Sequence, residues 1–186
     1  MWLISVKPYF SPERKRGQYR GKIEIMSEKL LAYIAGFLDG DGCIMAQLVK
    51  RPGYIYGFQI RVSSVFYQKT NHKDFLIWLK SKLKAGYIRD RNDGMTEYTI
   101  VSPEPVQQVL IKLLPYLRLK RELAKKVLNI CRINLINKKS ISAREFLRRA
   151  RLVDETALYN YSKKRTTTSK TVKVFLQQNN LIPRND

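Results

Sequence analysis

An α+β fold, with a four-stranded antiparallel sheet, helices on one face and further C-terminal helices, is what this sequence predicts. Two observations carry the prediction. The apolar pattern changes between helical spacing and strict alternation in the order helix, two strands, helix, two strands, helices. Each strand pair is also joined by a short stretch of turn composition, Lys50-Arg51-Pro52-Gly53 in one case and Asn92-Asp93-Gly94 in the other.

The first 26 residues are basic and are broken by Pro8, Pro12, Gly17 and Gly21, so they read as an arm before a single domain over 27–186. The arm is either a leader ahead of a second start at Met26 or a phosphate-contacting extension through Arg14, Lys15, Arg16, Arg20 and Lys22.

Residues 27–42 form the helix that organises the rest. Ser27 is a good N-cap, and Glu28 favours the positive end of the helix dipole. At 100° per residue Leu31, Ile34, Ala35 and Leu38 share a core side, flanked by Leu30 and Phe37. Ala32, Gly36 and Gly40, spaced by four, fall on another side together with Asp39. Helical glycine costs about 1 kcal/mol against alanine, so this line of small residues predicts close approach of another backbone. The helix ends in Asp39-Gly40-Asp41-Gly42, where two carboxylates face the negative end of the dipole and call for a positive group. A second copy packed on the small side would bring two Asp41 side chains together in an oxygen-rich pocket suited to Mg²⁺ or Mn²⁺.

Strands over 43–49 and 54–67 follow. Phe58, Ile60, Val62 and Phe66 point one way, and Gln59, Arg61, Ser63 and Tyr67 the other; Met45, Gln47 and Val49 lie opposite Ile44, Ala46 and Leu48. An amphipathic helix over 73–83 presents Phe75, Leu76, Leu79 and Leu83 to the sheet. The second hairpin pairs 86–91 with 96–101; Arg89 and Arg91 share a parity, as do Glu97 and Thr99. Ser102-Pro103-Glu104 opens a helix that ends or kinks at Pro115. Helices then run over 119–135, from the capping box Ser142 to Glu145 as far as Tyr161, and from Thr168 or Ser169 to Asn180.

The 36 Lys and Arg against 15 Asp and Glu give a formal net charge of +21, which implies a polyanionic partner such as nucleic acid. Charge alone does not separate a nuclease from a structural RNA binder. Two cysteines, Cys43 and Cys131, exclude a disulfide framework and a cysteine-based zinc site, and the single His72 argues against histidine-centred catalysis. Chemistry, if present, falls to metal and carboxylate, with no organic cofactor expected. No apolar run approaches the roughly 20 residues that span a bilayer, so a soluble protein with no membrane partner is expected.

Ile34-Ala35-Gly36-Phe37-Leu38-Asp39-Gly40-Asp41-Gly42 resembles the signature of the LAGLIDADG homing endonucleases. Tyr33 and Cys43-Ile44-Met45-Ala46-Gln47 resemble the single-motif, homodimeric branch, as do 68–70, 86–91, 115–120 and 163–169, in order and at nearly the right spacing. The arm before Ser27 lies outside the match. The resemblance implies an αββαββα core, which agrees with the element order read from the residues. It also implies double-stranded DNA as the partner, cut by divalent-metal-dependent hydrolysis as a homodimer. Two related sheets, each following about one turn of major groove, would read a pseudo-palindrome of roughly twenty base pairs.

On that reading the base-contacting residues are Gln47, Gln59, Arg61, Ser63, Arg89, Arg91, Glu97 and Thr99, with Tyr54 added from its matching family position. Arg89 and Arg91 suit guanine, and Gln47 and Gln59 suit adenine. Asp41 holds the metal, with the Gly40 carbonyl a further ligand implied by the family. Gln68 and Lys120 match the polar residues that flank the scissile phosphate, Lys120 also stabilising developing negative charge. His72 stands where relatives carry arginine, which leaves that role to His72 or Lys73. Lys163, Lys164 and Arg165, followed by hydroxyl residues and Lys170, read as a phosphate clamp. Ala32, Gly36, Asp39 and Gly40 are the dimer-interface set, a structural role at the helix junction being the other reading of Asp39. The rival readings are an RNA-splicing maturase on the same fold and a non-catalytic DNA-binding regulator. The family's usual encoding within mobile introns implies an organellar setting, chloroplast or mitochondrion, with an archaeal cytoplasm as the alternative.

Overall fold

The computed structural model describes residues 26–136, 141–159 and 165–183. Apart from Met26, the arm lies outside them, as do Lys163 and Lys164.

Helix α1 spans Glu28–Asp41, its first turn fixed by Ser27, whose hydroxyl accepts the N–H of Leu30 at 3.3 Å. It passes directly into β1, Gly42–Lys50, which pairs antiparallel with β2, Phe58–Lys69. A short 3₁₀ turn over Thr70–His72 leads into α2, Lys73–Leu83. Strands β3, Tyr87–Asp90, and β4, Met95–Val101, complete a sheet of order β1-β2-β4-β3. Then come α3 (Pro103–Leu113), α4 (Arg121–Ile136), α5 (Ala143–Glu155) and α6 (Ser169–Gln178).

The element order matches the reading from sequence; several boundaries do not. β2 begins at Phe58 rather than Tyr54, because Gly53 and Gly57 take left-handed φ of 87° and 68° and fold the intervening residues into a closed loop. Tyr54 therefore leaves the sheet. β3 ends at Asp90, so Arg91 lies just past the strand. α4 begins two residues late and α5 ends at Glu155, the chain continuing as a 3₁₀ turn over Thr156–Tyr159.

The register settles the two sheet faces. Gln47 faces Arg61, Met45 faces Ser63, Tyr67 faces Glu97 and Arg89 faces Glu97, which puts all of them on one side. On the other side Ile44, Ala46, Val62, Phe66, Tyr98 and Ile100 are fully buried against Ile34, Leu38, Leu76, Leu79 and Leu110 of the helices. Burying an aliphatic side chain of this size contributes roughly 1.5–3 kcal/mol, so this layer is what fixes the sheet to α1 and α2. Phe66 stacks between Phe37 and Tyr98 at 5.8 and 5.7 Å, tying α1 to β2 and β4.

Candidate active site and nucleic-acid interface

Asp41 is the last residue of α1 and is exposed. Its Oδ2 lies 3.5 Å from the side-chain amide of Gln68 near the end of β2, so the two polar residues singled out from sequence meet at one corner of the sheet. Lys120 reaches the same corner from the segment before α4, its ammonium donating to the main-chain carbonyl of Asp39. The last turn of α1 contains no basic residue of its own. The positive group that the helix end calls for is thus brought in from 81 residues away, where it also satisfies a terminal carbonyl.

Of its two readings from sequence, Asp39 has the geometry of the junction role. Its carboxylate is turned into the chain and accepts the main-chain N–H groups of Arg118, Leu119 and Lys120 at 2.6, 3.2 and 2.9 Å. It is 8% exposed and belongs to the chain's own interior, whereas Ala32, Gly36 and Gly40 are exposed along one line of α1. A Cβ on Gly36 or Gly40 would meet no atom within 4 Å, so nothing in the single chain requires glycine there.

Gln47 is exposed on the polar sheet face, Gln59 and Arg61 are half-buried, and Arg89 is exposed at its far edge. Ser63, Glu97 and Thr99, expected on an open face, are buried, because they sit on the inner strands β2 and β4 among longer neighbours. Glu97 is held by Arg89 at 2.9 Å, and Arg91 by Asp93 at 2.7 Å. Tyr67 shares this face but was missing from the base-contacting set; burial pushes its hydroxyl pKa up, with Cys43 and Glu97 adding to the effect. Its parity with Ser63 already sets it on this face in the sequence. Tyr54 stands in the β1–β2 loop at the outer end of the face.

A cavity of about 550 Å³ runs along the free edge of β1 and is lined by Gly40, Cys43, Gln47, Lys120 and Thr166. Burial raises the Cys43 thiol pKa, and the charge of Lys120 pulls it back. Arg165 is not a free clamp residue. Its guanidinium donates to the Val153 carbonyl at 2.8 Å and to the Thr156 hydroxyl at 3.0 Å, and burial lowers its pKa. Lys73 is likewise engaged, 2.6 Å from Asp90, which leaves His72 as the exposed basic group of that turn.

Among the described residues no group of three or more His, Cys, Asp or Glu side chains gathers as a metal site. One chain brings the exposed acid Asp41 to the C-terminal end of this line of small residues. This donor chemistry, carboxylate and main-chain carbonyl oxygen, fits a hard divalent cation once a second copy supplies the other half.

Comparison with known proteins decides the family. Residues 34–137 match the family described as LAGLIDADG endonuclease. The chain belongs to the LAGLIDADG endonucleases. It is similar to DNA endonuclease I-CvuI of Chlorella vulgaris, 42% identical over 147 residues, which cover 79% of this chain and 89% of that protein. DNA endonuclease I-CreI of Chlamydomonas reinhardtii is 36% identical over 150 residues, covering 81% and 90%. A crystal structure of I-CvuI with the I-CreI target in 2 mM Mg, its DNA not cleaved, superposes with a TM-score of 0.75 at 40% identity, covering 80% of this chain and 92% of that one. Membership accounts for the four-stranded sheet and for the signature carried on α1.

Proposed function

We propose that this LAGLIDADG chain is a site-specific double-strand DNA endonuclease of the homing type, which cuts a long pseudo-palindromic target as a homodimer with Mg²⁺ or Mn²⁺. The observation that carries the proposal is Asp41, exposed at the end of α1 with Gln68 beside it and the open Ala32, Gly36, Gly40 line running up to it. Two copies joined along that line bring two Asp41 carboxylates and two Gly40 carbonyls to one place.

Asp41 and the Gly40 carbonyl would hold the divalent ion, which when bound supplies charge neutralisation at phosphorus and lowers the pKa of water. Gln68, within reach of the Asp41 carboxylate, orients solvent and the phosphate oxygen through its amide. Lys120 sits at the same corner and offers its ammonium to the charge that builds on the phosphate in the transition state. No side-chain nucleophile is needed. The polar sheet face supplies recognition, with Gln47, Gln59, Arg61, Arg89 and the buried Ser63, Glu97 and Thr99 reading base edges directly or through water. Lys163, Lys164 and Lys170 supply backbone charge.

An organellar setting accords with the sources of the two relatives, Chlorella vulgaris and Chlamydomonas reinhardtii. The test is cleavage of a randomised duplex library in Mg²⁺ with sequencing of the ends. Enrichment of one long two-fold-related sequence supports the proposal, and absence of cutting with retained duplex binding defeats it.

A further inference from the structure

The loop between β1 and β2 stands at the end of the hairpin farthest from Asp41. Gly42 faces Phe66 at the acid end and Lys50 faces Phe58 at the other, and strand rise sets the two ends about 26 Å apart. The loop is closed on itself: the N–H of Arg51 donates to the Gly57 carbonyl at 2.8 Å, that of Gly57 to the Tyr54 carbonyl at 2.8 Å, and that of Tyr54 to the Arg51 carbonyl at 3.2 Å. It therefore shifts as one piece.

Beneath it lies a cavity of about 890 Å³, lined by Tyr54, Tyr56, Pro103, Ile141 and Phe146 among others, so only contacts that cross or flank it can set the loop's height. Two props do. The Tyr56 hydroxyl donates to the Ile141 carbonyl, and its ring lies 5.1 Å from that of Phe146 on α5. Phe175 of α6 closes over Gly57 so tightly that a Cβ there would collide with its ring, and it meets Phe58 edge-on at 5.4 Å.

We infer that Tyr56 and Phe175 are specificity-determining positioning residues, through which α5 and α6 set the height of the Tyr54 loop above the duplex and hence base choice at the outer ends of the target. The inference rests on the proposal that the polar sheet face reads DNA. The loop displays Tyr54 at 53% and Ile55 at 75% exposure, side chains suited to apolar contact with a thymine methyl. Such contacts lose a quarter to a half of their strength over a gap of roughly 0.5–1 Å. A loop released from its props loses discrimination at the ends, while the strands keep theirs nearer the centre.

The experiment uses full-length Phe175→Leu and Tyr56→Phe on targets substituted one base pair at a time from centre to ends, with Gln47→Ala as a reference. Tyr56→Phe removes only a hydroxyl and guards against a folding artefact. Discrimination at the outermost positions is expected to fall about fivefold or more in both variants, with inner positions held within about twofold. Loss spread evenly over all positions in step with a lowered melting temperature, or unchanged outer discrimination while Gln47→Ala still alters an inner position, overturns the inference and leaves the reading face standing. If Gln47→Ala, Gln59→Ala and Arg89→Ala alter discrimination nowhere, the reading face fails and the inference with it.

Discussion

The Asp39 carboxylate accepts the main-chain N–H of Lys120 at 2.9 Å while the Lys120 ammonium donates to the Asp39 carbonyl, so each residue holds the other in place at the end of α1. Asp39→Ala leaves three part-buried main-chain amides without their acceptor, at a cost of about 1–3 kcal/mol. Denaturant unfolding should show that loss. Cleavage should fall further than stability predicts, because Lys120 loses its fixed position relative to Asp41.

Asp41→Asn keeps the shape of the helix end and removes the anionic ligand. Duplex binding in Ca²⁺ is expected to survive, measured by mobility shift, while strand scission in Mg²⁺ disappears. Chelation of the metal should act on the unsubstituted protein in the same way, and readdition should restore cutting.

Arg89 is paired to Glu97, an acid that is itself buried. Arg89→Ala should cost about 1–3 kcal/mol of base discrimination at one position in each half-site. Glu97→Gln should relax the same position by freeing the guanidinium to move. An equal loss over every target variant would make Arg89 a phosphate contact instead.

Gly36→Leu separates folding from pairing. The site is open in the single chain, and leucine favours helix by about 1 kcal/mol over glycine, so the fold should hold or gain stability. Sedimentation should nonetheless show a monomer, and double-strand cutting should cease.

Glu145 receives Arg148 and Arg149, which hold its carboxyl down to about 2. A depressed acid stabilises the fold above its unfolded value near 4.3, and that contribution is lost as pH falls towards 2. Glu145→Gln should flatten the acid limb of the stability curve. It should also cost about 3 kcal/mol at neutral pH, since the Arg149 side chain is only 4% exposed and would keep an uncompensated charge.

The layer pattern was legible because alternation and helical spacing are local. Ser27 and Ser142 cap their helices as their positions suggest, and Ile34, Ala35 and Leu38 are the buried side of α1. Tyr54 was misplaced because two left-handed glycines close a loop whose composition resembles a strand entry. The partners of Asp39 and Arg165, the amides at 118–120 and the carbonyl of Val153, are remote in sequence or carry no side-chain signature, so the pattern leaves Asp39 between a junction role and an interface role and reads Arg165 as outward. The burial of Ser63, Glu97 and Thr99 follows from strand order, which a hairpin pattern does not reveal.

The bare glycine line on α1 also governs how target preference can drift. When one gene furnishes both halves of the pair, any substitution in the chain is duplicated in its partner, and the preferred sequence can alter only in mirrored steps. Freedom to recognise an asymmetric sequence would require two unequal copies, in one polypeptide or in two, whose small-residue seams still fit.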